Sequence, residues 1–236
     1  MTIYFDLDGP ILDVSLRYWK VHCDIVVPHG GVGIGKDIYW EMKRDRVPVS
    51  AILHRTGNTH IPESTYRTLW LERIEEPKYL EFDSVWDGAK EQLSSLCDHH
   101  QLVLVSLRQK PELMEGQIHQ FGLRRFFSGI LSASPIGDGA DTKRRLIQAS
   151  GFGYADAVIV GDTEVDIGAG KALGLSTIAI LSGIRNQKQL AKEHPDHVAL
   201  DITAATDIIR AMRPGRKRAK SLEEGEGDGT RSHPRS

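Results

Sequence analysis

The sequence is poor in cysteine, in long apolar runs and in net charge of either sign. Its two cysteines, Cys23 and Cys97, stand most of a domain apart. They cannot make a disulfide framework, which fits a reducing compartment and leaves redox chemistry without a motif. No stretch approaches the roughly 18 uninterrupted apolar residues of a membrane span, so no membrane partner is expected. The formal charge is -2 over 236 residues. Binding to a phosphate backbone normally leaves a clear basic excess, so nucleic acid is not expected as the main partner. Met1 leads almost at once into Ile3, Tyr4, Phe5 and Asp6 rather than into the basic, apolar and small-residue order of a signal peptide, and the expected location is cytoplasmic. The remaining balance, 40% hydrophobic and 26% charged, is that of a globular chain with room for one sizeable core and a small accessory domain.

Short β-branched runs recur at Ile3 to Leu7, Leu102 to Ser106, Gly129 to Ala133, Ala157 to Gly161 and Thr177 to Leu181. Helical periods lie between the later ones: Ala89, Leu93 and Leu96 share a face, as do Met114, Ile118 and Phe121 after Pro111 and before Gly122. The alternation predicts an α/β fold, a Rossmann-like parallel sheet with helices on both faces. Residues 14–82 break it. Leu16, Trp19, Cys23 and Val26 keep helical spacing, and Tyr66, Trp70 and Ile74 do so again between Pro62 and Pro77. This stretch reads as a small helical cap inserted after the first strand, over the carboxyl end of the sheet where open α/β proteins bind ligands. The core is then 1–13 and 83–213. From residue 214 the pattern dissolves into a basic run followed by acids among glycines, which predicts a disordered tail.

Candidate chemistry gathers at strand ends. Asp6 and Asp8, two apart in a strand, point to the same side. Asp162 ends a second strand, and Asp166 follows in the first turn of a helix. Capping explains Asp166 alone but not four acids at two strand ends. Four carboxylates in one pocket repel by about 4 kcal/mol per pair at 4 Å and an effective dielectric near 20, so a cation is required. Hard oxygen ligands with open positions suggest Mg²⁺. Lys143, which opens a predicted helix after Thr142 where the dipole disfavours it, is a further cation. Ser106 ends another strand, where a hydroxyl and backbone amides can hold a phosphate oxygen.

In order and spacing, Asp6-Leu7-Asp8-Gly9, Ser106, Lys143 and Gly161-Asp162-Thr163-Glu164-Val165-Asp166 resemble the four motifs of the haloacid dehalogenase (HAD) superfamily. Residues 120–123 and 172–174 most resemble its phosphoglycolate phosphatase-like members, which carry a helical cap between the first two motifs. The resemblance implies a phosphoric monoester hydrolase acting on a small phosphorylated metabolite. Asp6 is then the nucleophile and Asp8 the acid and later the base. Mg²⁺ is held by the side chains of Asp6 and Asp162 and the carbonyl of Asp8, with Asp166 as ligand or support. Ser106 and Lys143 stabilise the transferring group, while Gly9, Leu107, Arg108 and Arg44 are expected to bind substrate. Two departures stand out: Pro10 where the family commonly has Thr, and Leu107 where many relatives have Asn.

Other readings are weaker. Gly30 to Lys36 nearly makes a P-loop, but Asp37 replaces the required Ser or Thr. His22 and Cys23 with Cys97, Asp98, His99 and His100 match no closed zinc spacing. Within the superfamily a phosphosugar mutase is the alternative, and an HAD-like pocket that only binds is the non-enzymatic one. Lys43, Arg44 and Arg46 are candidates for a second anionic group of the substrate.

Overall fold

The computed structural model describes residues 1–134 and 137–212. The expected tail from 214 lies outside the described residues. The first strand, β1 (Thr2–Phe5), is followed by the two-residue strand β2 (Leu12–Asp13). Five helices come next: α1 (Ser15–Val26), α2 (Lys36–Arg44), α3 (Val49–Arg55), α4 (Glu63–Arg73) and α5 (Pro77–Leu80). The chain returns through β3 (Ser84–Val85) and α6 (Ala89–Cys97) to β4 (Gln101–Ser106), α7 (Pro111–Gln120) and β5 (Gly129–Ser132). Helix α8 (Gly139–Ala149), β6 (Val158–Gly161), α9 (Glu164–Leu173), β7 (Ser176–Ile180), α10 (Gln187–Ala191), β8 (His197–Ala199) and α11 (Ile202–Ala211) complete it.

Six of these strands form one parallel sheet in the order β5-β4-β1-β6-β7-β8. Both faces are covered, which is why the strands read as near-continuous apolar runs rather than as alternation. Ile3, Phe5, Leu102 and Leu104 pack on one side against Leu93 of α6, Ile118 of α7 and Ile209 of α11. Tyr4, Val103, Val105 and Ile159 pack on the other against Ile147 of α8 and Ala169 of α9. The Rossmann-like parallel sheet expected from the sequence is observed. The strand β8 was not foreseen. It is three residues long, with only Ala199 buried, so its apolar signal is small.

The sheet order reverses around β1, the topological switch point, so the carboxyl ends of β4, β1 and β6 line one crevice. Over 15–80 the helices enclose an apolar cluster of their own, including Val21, Ile25, Leu53, Tyr66 and Tyr79. The connection to the sheet is an antiparallel ribbon in which Leu12 faces Val85 and Asp13 faces Ser84. Helix α1 forms as its period predicts, but its inner face is turned. Arg17, Val21, His22 and Ile25 are buried, whereas Leu16, Trp19 and Cys23 are half-buried. Ion pairing of Arg17 draws that face inward, and apolar spacing alone carries no sign of it.

A second tether fixes the loop after β4. The buried Glu75 carboxylate accepts the backbone N–H groups of Gln109 (2.9 Å) and Lys110 (2.8 Å) at the start of α7. Replacing Glu75 with Ala leaves two half-buried donors open. Urea denaturation should then show a loss of about 1–3 kcal/mol of unfolding free energy.

Candidate active site

The end of β1 carries Asp6, whose backbone N–H donates to Val160 O of β6 at 2.9 Å. The end of β6 carries Asp162, and Asp166 sits in the first turn of α9. Asp6, Asp162 and Asp166 are the one group of three or more acidic, His or Cys side chains among the described residues whose ligand atoms lie within 4.8 Å of one another. Lys143, buried on α8, bridges two of them. Its Nζ is 2.9 Å from Asp6 Oδ1 and 2.5 Å from Asp166 Oδ1. Burial would lower the lysine, yet Asp166 and Asp6 outweigh it and push its pKa above the ordinary range. The lysine opens no helix, since α8 starts at Gly139 with Asp138 as its cap. Its place near the helix start is explained by the acids opposite.

Asp166 has both oxygens engaged. Oδ2 accepts Thr163 N (3.1 Å) and Thr163 Oγ1 (2.8 Å) in a capping box, while Oδ1 accepts Lys143. Capping and charge pairing coexist in one side chain. Asp162 is different: Oδ2 accepts Ile184 N at 2.5 Å, and Oδ1 is buried with no partner. Burial, then Asp6 and Asp166, push its pKa well up. Burial likewise raises Asp6 to about 7 against the pull of Lys143, with Asp166 and Asp8 adding to the rise. One lysine therefore does not neutralise the three acids. An orphaned carboxylate oxygen beside two other acids is the donor set of a hard divalent cation, and the residues fit one.

Close backbone approach makes this packing possible. Gly9 has φ of +100°, and a Cβ there would lie 2.2 Å from Asp162 Oδ2. At Gly183, in the loop after β7, the same atom would lie 2.0 Å away.

Asp8 stands apart from the acid cluster. Its Oδ2 accepts Arg17 Nη2 (2.8 Å) and Arg108 Nε (2.9 Å), and its Oδ1 accepts Arg108 Nη2 (2.5 Å). Burial alone would raise Asp8, but Arg108 and Arg17 outweigh it and bring it down to about 2. The expected four-acid pocket is thus a cluster of three acids, two of them paired with Lys143, and one separate acid on two arginines. Asp83 closes the second group. Its Oδ1 is 3.1 Å from Arg17 Nε, and its Oδ2 accepts Gln117 Nε2 at 2.8 Å. Sequence reading had missed Arg17, Asp83 and Gln117. The apolar face predicted for α1 runs through Leu16, Trp19 and Cys23 and leaves Arg17 off it.

Ser106 is buried at the end of β4, and its hydroxyl has no hydrogen bond among the described residues. Leu107 is half-buried with a Cδ1 that would meet a Cβ at Gly139 at 3.1 Å, so its side chain offers packing rather than a polar contact. Arg44 is not brought to the acids: Nη2 donates to Leu181 O at 2.6 Å. Arg46 pairs with Glu164 at 3.5 Å. Lys43 has no ion pair among the described residues and lies 5.6 Å from the Tyr18 ring and 5.3 Å from that of Trp70. The glycines of 30–35 form the loop between α1 and α2. His22 is buried against Tyr66 and Tyr39.

Fold and cluster define a Rossmann-like α/β protein with a buried acidic centre at the switch point of its sheet. Comparison narrows the class. A HAD-hydrolase-like family model matches residues 140–205. The protein named "Putative pyrophosphatase PpaX" of Caldanaerobacter subterraneus is 22% identical over 212 residues, 89% of this chain and 94% of that one. Phosphoglycolate phosphatase of Synechococcus elongatus is 25% identical over 99 residues, 42% and 45% of the two chains. A solved haloacid dehalogenase-like hydrolase from Streptococcus pneumoniae superposes with a TM-score of 0.70 at 20% identity, covering 88% of this chain and 97% of its own. These findings bear out the resemblance to HAD superfamily hydrolases and support the expectation of a phosphoric monoester hydrolase.

If the orphaned Asp162 oxygen serves a cation, magnesium chloride should raise the melting temperature of the wild-type protein. Asp162→Asn should lose that response and, by removing one of three repelling acids, melt higher than wild type without metal. Its gain should be on the order of 1 kcal/mol, read by calorimetry with and without chelator.

Proposed function

We propose that this chain is a Mg²⁺-dependent phosphatase that cleaves a small phosphorylated metabolite in the cytoplasm through an aspartyl phosphate on Asp6. The observation that carries the reading is the buried Asp6–Lys143–Asp166 arrangement beside the unpartnered oxygen of Asp162. Asp6 Oδ2 is the attacking atom, since Oδ1 is held by Lys143. Holding one oxygen fixes the rotamer of the other, and the lysine charge offsets the phosphoryl charge brought in. The free hydroxyl of Ser106, at the adjacent strand end, donates to a phosphoryl oxygen. Asp8, positioned by Arg17 and Arg108, protonates the leaving oxygen as the phosphoenzyme forms and then takes the proton of the water that hydrolyses it. The side chains of Asp6 and Asp162 and the carbonyl of Asp8 would hold Mg²⁺, with Asp166 supporting through Thr163 and Lys143. When bound, the ion supplies charge neutralisation between the acids and the phosphoryl oxygens. The helices of 15–80 act as the cap of this core, and Lys43 replaces Arg44 as their anion-binding candidate.

Two variants separate the roles. Asp6→Asn should abolish turnover and incorporate no labelled phosphate. Asp8→Asn, given an aryl phosphate, should accumulate a base-labile phosphoenzyme and turn over slowly. Chelation should stop the wild-type enzyme. Label on Asp6→Asn, or full turnover after exhaustive chelation, contradicts the assignment.

Lys43 carries a pH signature. Burial, then Arg185 and Arg67, lower it to about 8, so it is cationic below that pH and loses its proton above it. KM for a substrate with a second anionic group should therefore rise as pH passes about 8. Lys43→Met should raise KM about tenfold at pH 7 and flatten that dependence.

A further inference from the structure

The acids of the centre and the end of α2 are joined by one short loop, 181–186, between β7 and α10. An α-helix leaves its last carbonyls without a helical partner, and the residue four past Arg44 is Pro48, which has no N–H to give. The core supplies the missing donors. Asn186 N donates to Arg44 O at 3.2 Å, and Gln189 Nε2 donates to Asp45 O at 2.9 Å and to Asp45 Oδ1 at 3.0 Å. Arg185 Nη1 donates to Lys43 O at 3.4 Å, and Arg44 Nη2 donates in return to Leu181 O at 2.6 Å. The helical stretch is thereby held to the sheet by hydrogen bonds at this loop as well as by the β2–β3 ribbon.

The same loop reaches the acids. Ser182 Oγ donates to Gly9 O at 2.9 Å, and Ile184 N donates to Asp162 Oδ2 at 2.5 Å across the gap that Gly183 leaves by having no Cβ. Arg185 belongs to both systems: its Nε and Nη2 donate to Glu164, two residues after Asp162, at 2.9 and 3.1 Å, while Nη1 reaches Lys43 O. A carboxylate turns about its Cβ–Cγ bond unless one oxygen is held. For Asp162 the holding donor is the N–H of Ile184, next to Arg185, and Oδ1 is left free. Hydrogen bonds behind a metal ligand change metal affinity by roughly 10- to 100-fold. We infer that Arg185 is a positioning residue for the Asp162 carboxylate, and that docking of α2 on loop 181–186 and binding of the cation strengthen each other. The inference rests on the cation reading of the three acids given above. When α2 leaves the loop, Arg185 loses one of its two anchors and the Ile184 N–H is no longer fixed on Oδ2. The coupling is reciprocal, since whatever factor docking adds to cation affinity the cation adds to docking.

Substitutions on the two sides of this joint test it in the whole chain. Asp45→Ala removes a carboxylate whose bonds go to Asn186, Gln189 and Lys188 rather than to the three acids. Arg185→Gln removes the anchor on Glu164. Calorimetric titration with magnesium chloride should show each variant binding the ion at least about fivefold more weakly than wild type, with Arg185→Lys in between. Glu63→Gln, which breaks an exposed pair on α4, should bind it as wild type does. Amide exchange read by NMR gives the reverse direction: magnesium should slow exchange of the Asn186 N–H in wild type and not in Asp162→Asn. Without metal, Asp45→Ala should speed exchange of the Ile184 N–H. Magnesium affinities within about twofold of wild type in both Asp45→Ala and Arg185→Gln, with cooperative melting retained, overturn the coupling. If Arg185→Gln does not melt cooperatively, Asp45→Ala decides alone. No magnesium binding to the wild type overturns the cation reading instead, and the metal-free Ile184 exchange then judges the positioning role, which unchanged exchange in Asp45→Ala removes.

Discussion

Everything at the carboxyl edge of this sheet depends on concentrating negative charge where water cannot screen it. Asp6, Asp162 and Asp166 are brought together by the parallel pairing of β1 with β6 and by the capping box of α9. Their repulsion would force the strand ends apart if Lys143 did not sit between two of them. The lysine has no latitude: its helix packs on α9, its ammonium is buried, and both partners are held from the backbone side by other bonds. The residual imbalance, left on an Asp162 oxygen with no partner, is the feature that gives the centre a chemical appetite for a cation.

A second charge system, centred on Asp8, is built on the opposite principle. It is nearly self-compensating, two guanidinia against two carboxylates, with Gln117 completing the hydrogen bonds. Two carboxylates only two residues apart thus experience opposite surroundings. One is raised toward neutrality and the other is held ionised. Such divergence between neighbouring acids is how a single site assigns different tasks to chemically identical groups.

Much of this was legible in the sequence because the relevant signals are local. The strands of the central sheet announce themselves as β-branched runs, and Asp6 and Asp162 lie at run ends, with Asp166 in the helical turn that follows, so that their grouping follows from parallel pairing. What escaped reading is what pairs across long separations. Arg17 and Asp83 meet from opposite ends of the helical stretch, and Glu75 reaches the loop of Gln109 and Lys110. Nothing in the periodicity around any of these residues names its partner. The basic cluster at 43–46 shows the same limit. Its composition suggested anion binding, but only contacts reveal that Arg44 and Arg46 are committed to Leu181 and Glu164 while Lys43 is not.

The ribbon that joins the helices to the sheet has an implication for how such a chain diversifies. Because Leu12 faces Val85 and Asp13 faces Ser84, the two ends of the intervening stretch emerge side by side, about 5 Å apart. A replacement stretch of any length can start and finish there without moving a sheet residue. The splice is not neutral, however, since Arg17 and Glu75 leave with the old stretch. An exchange that omitted an equivalent cation would preserve the architecture while stripping Asp8 of one of its two guanidinium partners. Recombination at this joint is thereby permitted by geometry and filtered by charge.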